Sequence, residues 1–186
     1  MQALLSLSRA IDRMNTAIGR AAMWLILAAV LVSAGNAVVR KAFSTSSNAW
    51  LELQWYLFGA VFMLCGAYTL LNNEHIRIDI ISQMLPKRVR NWIEIFGILF
   101  FLGPFCLIHI WHGIPFLVRS YELHERSMNA GGLILWPAKS LVVIGFTLLL
   151  IQAVSELIKR IAVMRGLIAD PHEAPAEAEA NLSQIH

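Results

Sequence analysis

Apolar residues fall into four long runs, at 21–39, 50–71, 92–118 and 133–158, and most of the charge lies between them. Each run is near or above the ~20 residues that a helix needs to cross a bilayer. A core helix of a soluble domain seldom extends so far without charge, so the pattern predicts four membrane spans. Ahead of the first run, Leu4, Leu7, Ile11, Met14 and Ile18 recur on one helical face, with Arg9, Asp12, Arg13 and Thr16 mostly off it. That pattern predicts an amphipathic helix over 1–20 lying in the headgroup plane.

The predicted class is an all-α membrane protein, a four-helix transmembrane bundle with an N-terminal amphipathic interfacial helix. The arm covers 1–20 and the membrane domain 21–158, with an interfacial connection at 72–91. The stretch 159–186 holds a helix end and a tail. From Asp170 onward that tail is rich in Ala, Glu and Pro and reads as disordered. Pro104 and Pro115 are expected to bend span three. Pro137 suits the first or second turn of span four. Ser46, Ser47 and Asn48 offer capping oxygens ahead of span two, and Gly166 with Pro171 closes the last helix.

Composition agrees with the pattern. The chain is 58% hydrophobic and 15% charged, with a mean hydropathy of +0.62, where soluble proteins carry about a quarter charged residues. The net charge of +3 does not indicate nucleic acid, because the basic residues stand at span ends, where anionic lipid attracts them. Cys65 and Cys106 lie inside spans at depths about 10 Å apart, too far for a disulfide, and read as small buried hydrophobes.

Basic residues also set the topology. Arg9, Arg13, Arg20, Arg77, Lys87, Arg88, Arg90, Lys159, Arg160 and Arg165 fall on one side, against Arg40, Lys41, Arg119 and Arg126 on the other. The ten-to-four excess predicts that both termini are cytoplasmic. Lys87, Arg88 and Arg90 are expected against anionic lipid headgroups.

Little within the spans can do chemistry. Glu52 and Lys139 enter the membrane from the same side at similar depth. They either form an intramembrane pair that fixes span two to span four, or each reaches headgroup water separately. His109 and His112 share a face of span three, but no other span carries a His to complete a haem or metal site. No cofactor, metal or catalytic residue is expected. The connection Glu74-His75-Ile76-Arg77-Ile78-Asp79 alternates charge with isoleucine and suits an interfacial segment with local ion pairs. It has no nucleophile in register, so an enzymatic reading is rejected.

Several of these residues together carry a resemblance. Glu52 early in span two, Gly66, then Asn73-Glu74-His75-Ile76-Arg77-Ile78-Asp79 and a Leu-Pro-basic stretch ending in Trp92 resemble the small membrane subunit, of the DctQ type, of TRAP (tripartite ATP-independent periplasmic) transporters. Ser120-Tyr121-Glu122, Gly131-Gly132, Trp136-Pro137-Ala138-Lys139 and Glu156 are similar to one branch of that family, whereas His124-Glu125-Arg126 departs from it. The resemblance implies a non-catalytic subunit of a bacterial inner membrane. It would anchor and scaffold a large elevator-type subunit during sodium-coupled uptake of a small organic acid delivered by a periplasmic substrate-binding protein. Arg40, Lys41, Tyr121, Glu122 and Arg126 are then candidate rim contacts for the delivery protein. The alternative from another class is a cytochrome-like electron-transfer subunit using the span-three histidines.

Overall fold

The computed structural model describes residues 1–44, 47–73 and 85–170. The first helix, α1, runs from Gln2–Phe43. It is followed by α2 at Asn48–Leu71 and α3 at Lys87–Gly97. A π-helical turn at Ile98–Leu102 joins α3 to α4 at Gly103–Glu122, and α5 covers Trp136–Met164. Four stretches are long and apolar enough to cross a membrane: α1, α2, Arg88–Glu122 and α5.

No break in α1 marks the expected boundary at residue 20. At ~1.5 Å per residue its 42 residues extend about 63 Å, roughly twice a ~30 Å hydrocarbon core. Its buried face is small and polar: Ser8, Asn15, Gly19, Ala22 and Ala29. Leu4, Leu7 and Met14 stay exposed. Leu4, Leu7 and Met14 thus face away from the bundle, while Ser8, Asp12 and Asn15 turn in to polar partners on α5.

The helix α5 is central. It packs against α1, α2 and α4, while α1 also packs along α2. The segment α3–α4 rests chiefly on α5, so the bundle is open between α2 and α4. Small residues make the close contacts: Ala22 and Ala29 on α1, Ala60 and Ala67 on α2, Ala153 and Ala162 on α5 are all buried. Apolar side chains gain little by leaving apolar lipid, so helices in membranes associate through tight packing and polar bonds. At Gly145 two helix backbones approach closely. A Cβ there would lie 2.8 Å from the Met63 backbone oxygen.

The prolines act as local chemistry requires. Pro104 lacks an N–H, and the π turn just before it shifts the hydrogen-bond register, with Gly103 N–H donating to Ile98 O. Pro115 lies inside α4, and Pro137 occupies the first turn of α5. Ser47 is the N-cap of α2, but its side chain makes no capping bond. Asn48 instead donates to Ala130 O at 3.1 Å. The end of α5 is a Schellman motif: Leu167 N–H reaches Ala162 O, Gly166 N–H reaches Val163 O, and Gly166 has φ +67°. Asp170, expected in a loose tail, is buried and bound to Arg160 at 2.9 Å; residues 171–186 lie outside the described residues.

Candidate functional site

Polar side chains concentrate at the two ends of the bundle. Lys139 and Lys159, which belong to these two groups, stand 20 residues apart on α5. That is about 30 Å along a helix.

One group is built on Glu52, in the second turn of α2 and 3% exposed. The loop 123–135 folds back over it. Ser127 Oγ donates to its carboxylate, as do Asn129 Nδ2 at 2.8 Å and the Leu133 N–H at 2.7 Å. The loop holds its shape through a bridge between Arg126 and Ile134 and through Leu135 N–H on Glu125 O at 3.0 Å. A Cβ at Gly132 would lie 2.5 Å from Ser127 Cβ, so glycine lets Ser127 stand beside the carboxylate. Tyr56 adds a bond to Ile134 O at 3.0 Å.

Glu52 and Lys139 do not pair with each other. Lys139 binds Glu125 and lies 3.8 Å from the centre of the Phe116 ring, a cation–π contact. The loop reversal accounts for the difference. It brings Glu125 to Lys139, and the loop's own donors saturate Glu52. Hydrogen bonding from Lys139 holds the Glu125 carboxyl below its ordinary value of 4.5.

The other group joins the arm to the last helix. Asn15 Nδ2 donates to Gln152 Oε1 at 2.7 Å. Gln152 Nε2 donates to Asp12 and Glu156, both at 2.9 Å. Ser155 Oγ donates to Asp12 at 2.8 Å and meets Ser8 Oγ at 2.7 Å. Lys159 bridges Asp12 at 3.2 Å and Glu156 at 2.5 Å. Beside it, Arg160 joins Glu94 of α3 to Asp170. The ladder is nearly complete; among the described residues, Asn15 Oδ1 is left without a partner.

Sequence reasoning missed this second ladder. Its signal was the spacing of Ser8, Asp12 and Asn15 on one face of the arm, matched by Gln152, Ser155, Glu156 and Lys159 on one face of α5. Each set repeats at three or four residues, which stacks side chains along a helix.

Arg88 is exposed and Arg90 half-buried at the start of α3, and the side chain of Lys87 lies outside the described residues, as do Glu74, His75, Arg77 and Asp79. Arg40 and Lys41 end α1, Tyr121 and Glu122 end α4, and Arg126 follows in the loop; all five are exposed. His109 Nδ1 bonds Phe105 O at 2.8 Å, with its ring against Phe105 and Phe146. Among the described residues, no group of three or more His, Cys, Asp or Glu is placed to hold a metal. Between the two polar ends, a cleft of about 590 Å³ opens beside α2 and α4. It is lined mostly by apolar groups, among them Phe62, Gly66, Phe105, Phe146 and Leu149.

Residues 29–163 match the family described as Tripartite ATP-independent periplasmic transporters, DctQ component. No curated protein matches the chain.

Proposed function

The chain belongs to the DctQ component family of TRAP transporters, and from that premise we propose that it is the non-catalytic scaffold of a binding-protein-dependent importer. It holds a large elevator-type subunit in place in a bacterial inner membrane, with both termini cytoplasmic. Sodium coupling and a small organic acid as cargo belong to the same proposal, and so does a periplasmic binding protein that meets the rim at Arg40, Lys41, Tyr121, Glu122 and Arg126.

One observation carries the scaffold reading. The polar side chains form two ties about 20 Å apart along the last helix, measured from Lys139 to Gln152, one across α2 and the 123–135 loop, the other across α1 and α5. Each tie locks helices together, and the cleft between the ties is mainly apolar. A solute path needs polar groups through mid-membrane, whereas a stationary frame needs its helices fixed at both ends. The span-three histidines support an electron carrier poorly, since His109 is engaged by its own helix and two phenyl rings.

The test is reconstitution. Vesicles holding the chain, its large membrane partner and the binding protein should accumulate solute down a sodium gradient. Vesicles lacking any one of the three should not. Uptake by this chain alone, or a haem absorption band in the purified protein, overturns the reading.

A further inference from the structure

On the inner side of the bundle, α1 and the end of α2 enclose a cleft of about 620 Å³. It is lined by Asp12, Arg13, Thr16, Ala17, Arg20 and Lys159, with Leu71 and Asn72 of the α2 end. We propose that this cleft binds the phosphodiester headgroup of an anionic phospholipid, with Arg13 and Arg20 as its cationic ligands. The proposal rests on the membrane placement of the helices and not on the transporter reading.

Charge is the first argument. Arg13, Thr16, Ala17 and Arg20 follow at three- and four-residue steps and so share one face of α1. The other charges in the cleft are already committed. Asp12 accepts from Ser155, Gln152 and Lys159, and Lys159 is divided between Asp12 and Glu156. Arg13 and Arg20 are exposed and form no ion pair among the described residues. Among the described residues, two guanidiniums two turns apart thus present a positive charge that no ion pair meets, beside the carbonyl end of α2. Guanidinium matches phosphate oxygens in a planar, two-pronged geometry.

Depth selects the lipid over a soluble anion. Arg20 and Arg40 stand 20 residues apart on the unbroken α1. With Arg40 at one face of the membrane, Arg20 sits about 30 Å away, at the headgroup level of the opposite leaflet. Arg13 lies a further two turns out. Ala17 and Leu71 line the same cleft and suit the glycerol and first methylenes. A volume of this size is ordinary for a small-molecule site.

The test uses the full chain in mild detergent, titrated with phosphatidylglycerol or phosphatidylcholine of identical acyl chains and read by native mass spectrometry. One phosphatidylglycerol per chain should be retained in preference to phosphatidylcholine. The R13Q/R20Q variant should bind about thirtyfold more weakly, and R13K/R20K, which keeps the charge, should recover most of the loss. R9Q/R165Q removes two exposed guanidiniums outside the cleft and should bind as the parent does. Equal weakening in R9Q/R165Q would mean diffuse surface charge and overturn the proposal. So would equal retention of phosphatidylcholine, or displacement of the lipid by millimolar inorganic phosphate as readily as by a short-chain phosphatidylglycerol. Unchanged lipid-free unfolding of R13Q/R20Q separates lost binding from lost folding, and R13K/R20K decides the matter if R13Q/R20Q unfolds.

Discussion

Replacing Gln152 by leucine should destabilise the chain strongly, and replacing Asn15 by leucine as well should return part of that loss. Gln152 is 0% exposed, and its amide serves three partners at 2.7–2.9 Å. Without it, Asn15 Nδ2 is buried with no acceptor, which costs about 1–3 kcal/mol. Asp12 keeps Ser155 and Lys159 and Glu156 keeps Lys159, so each of these losses is milder, about 0.5–1.5 kcal/mol. The expected total is about 3 kcal/mol, or roughly 6–12 °C in unfolding temperature for a chain of this length. The Asn15→Leu/Gln152→Leu double variant removes the orphaned amide and should recover about 1–2 kcal/mol of the summed single losses. Thermal unfolding in mild detergent can be followed by thiol labelling of Cys106, which is 0% exposed. If the two losses add within about 0.5 kcal/mol, the residues are not a coupled pair and the ladder does not act as a unit.

Three further outcomes are expected. Gly145→Ala should cost about 1–3 kcal/mol by driving α5 off the Met63 backbone. Gly66→Ala, where a Cβ meets nothing within 4 Å, should be neutral or slightly stabilising through helix propensity; parallel melts of the two variants check this. Arg160→Met takes the guanidinium away from Glu94 and Asp170, whose side chains are 16% and 2% exposed, and should cost up to about 3–5 kcal/mol. Exposed Arg165→Met should stay within about 0.5 kcal/mol in the same denaturation assay. Since Glu125 is held below 4.5, its tether to Lys139 is intact above that value and is lost as pH falls below it. Hydrogen exchange in residues 123–135 should therefore quicken in acid relative to the intrinsic rate, and that acid step should be missing in Glu125→Gln.

The spans were legible because lipid demands length and apolarity, both of which a sequence displays directly. The tertiary ties were not. Lys139 stood out as a charge in an apolar run, but its partner is set by a loop reversal that brings Glu125 beside it, and no periodicity encodes a reversal. The arm's ties to α5 were hidden for a different reason: where the surroundings are themselves apolar, polar positions are the ones that gain from burial. Ser8, Asp12 and Asn15 could be paired with α5 only by treating polar spacing on two helices as one pattern. Gly166, by contrast, announced its role correctly, because a left-handed cap is a local requirement that glycine meets alone.

The unbroken length of α1 makes the chain a lever. With the pivot at the membrane boundary, a 10° change in tilt would swing the N-terminal end sideways by about 5 Å over its ~30 Å of protruding length. The contact between Ser8 and Ser155 lies furthest along that arm and feels the largest displacement; the bond from Asn15 to Gln152 lies nearer the fulcrum and feels less. A thinner or thicker bilayer, which changes helix tilt, therefore pulls first on the outermost rung. For a membrane boundary near Arg20, bilayer thickness would in this way be felt at the far end of the helix.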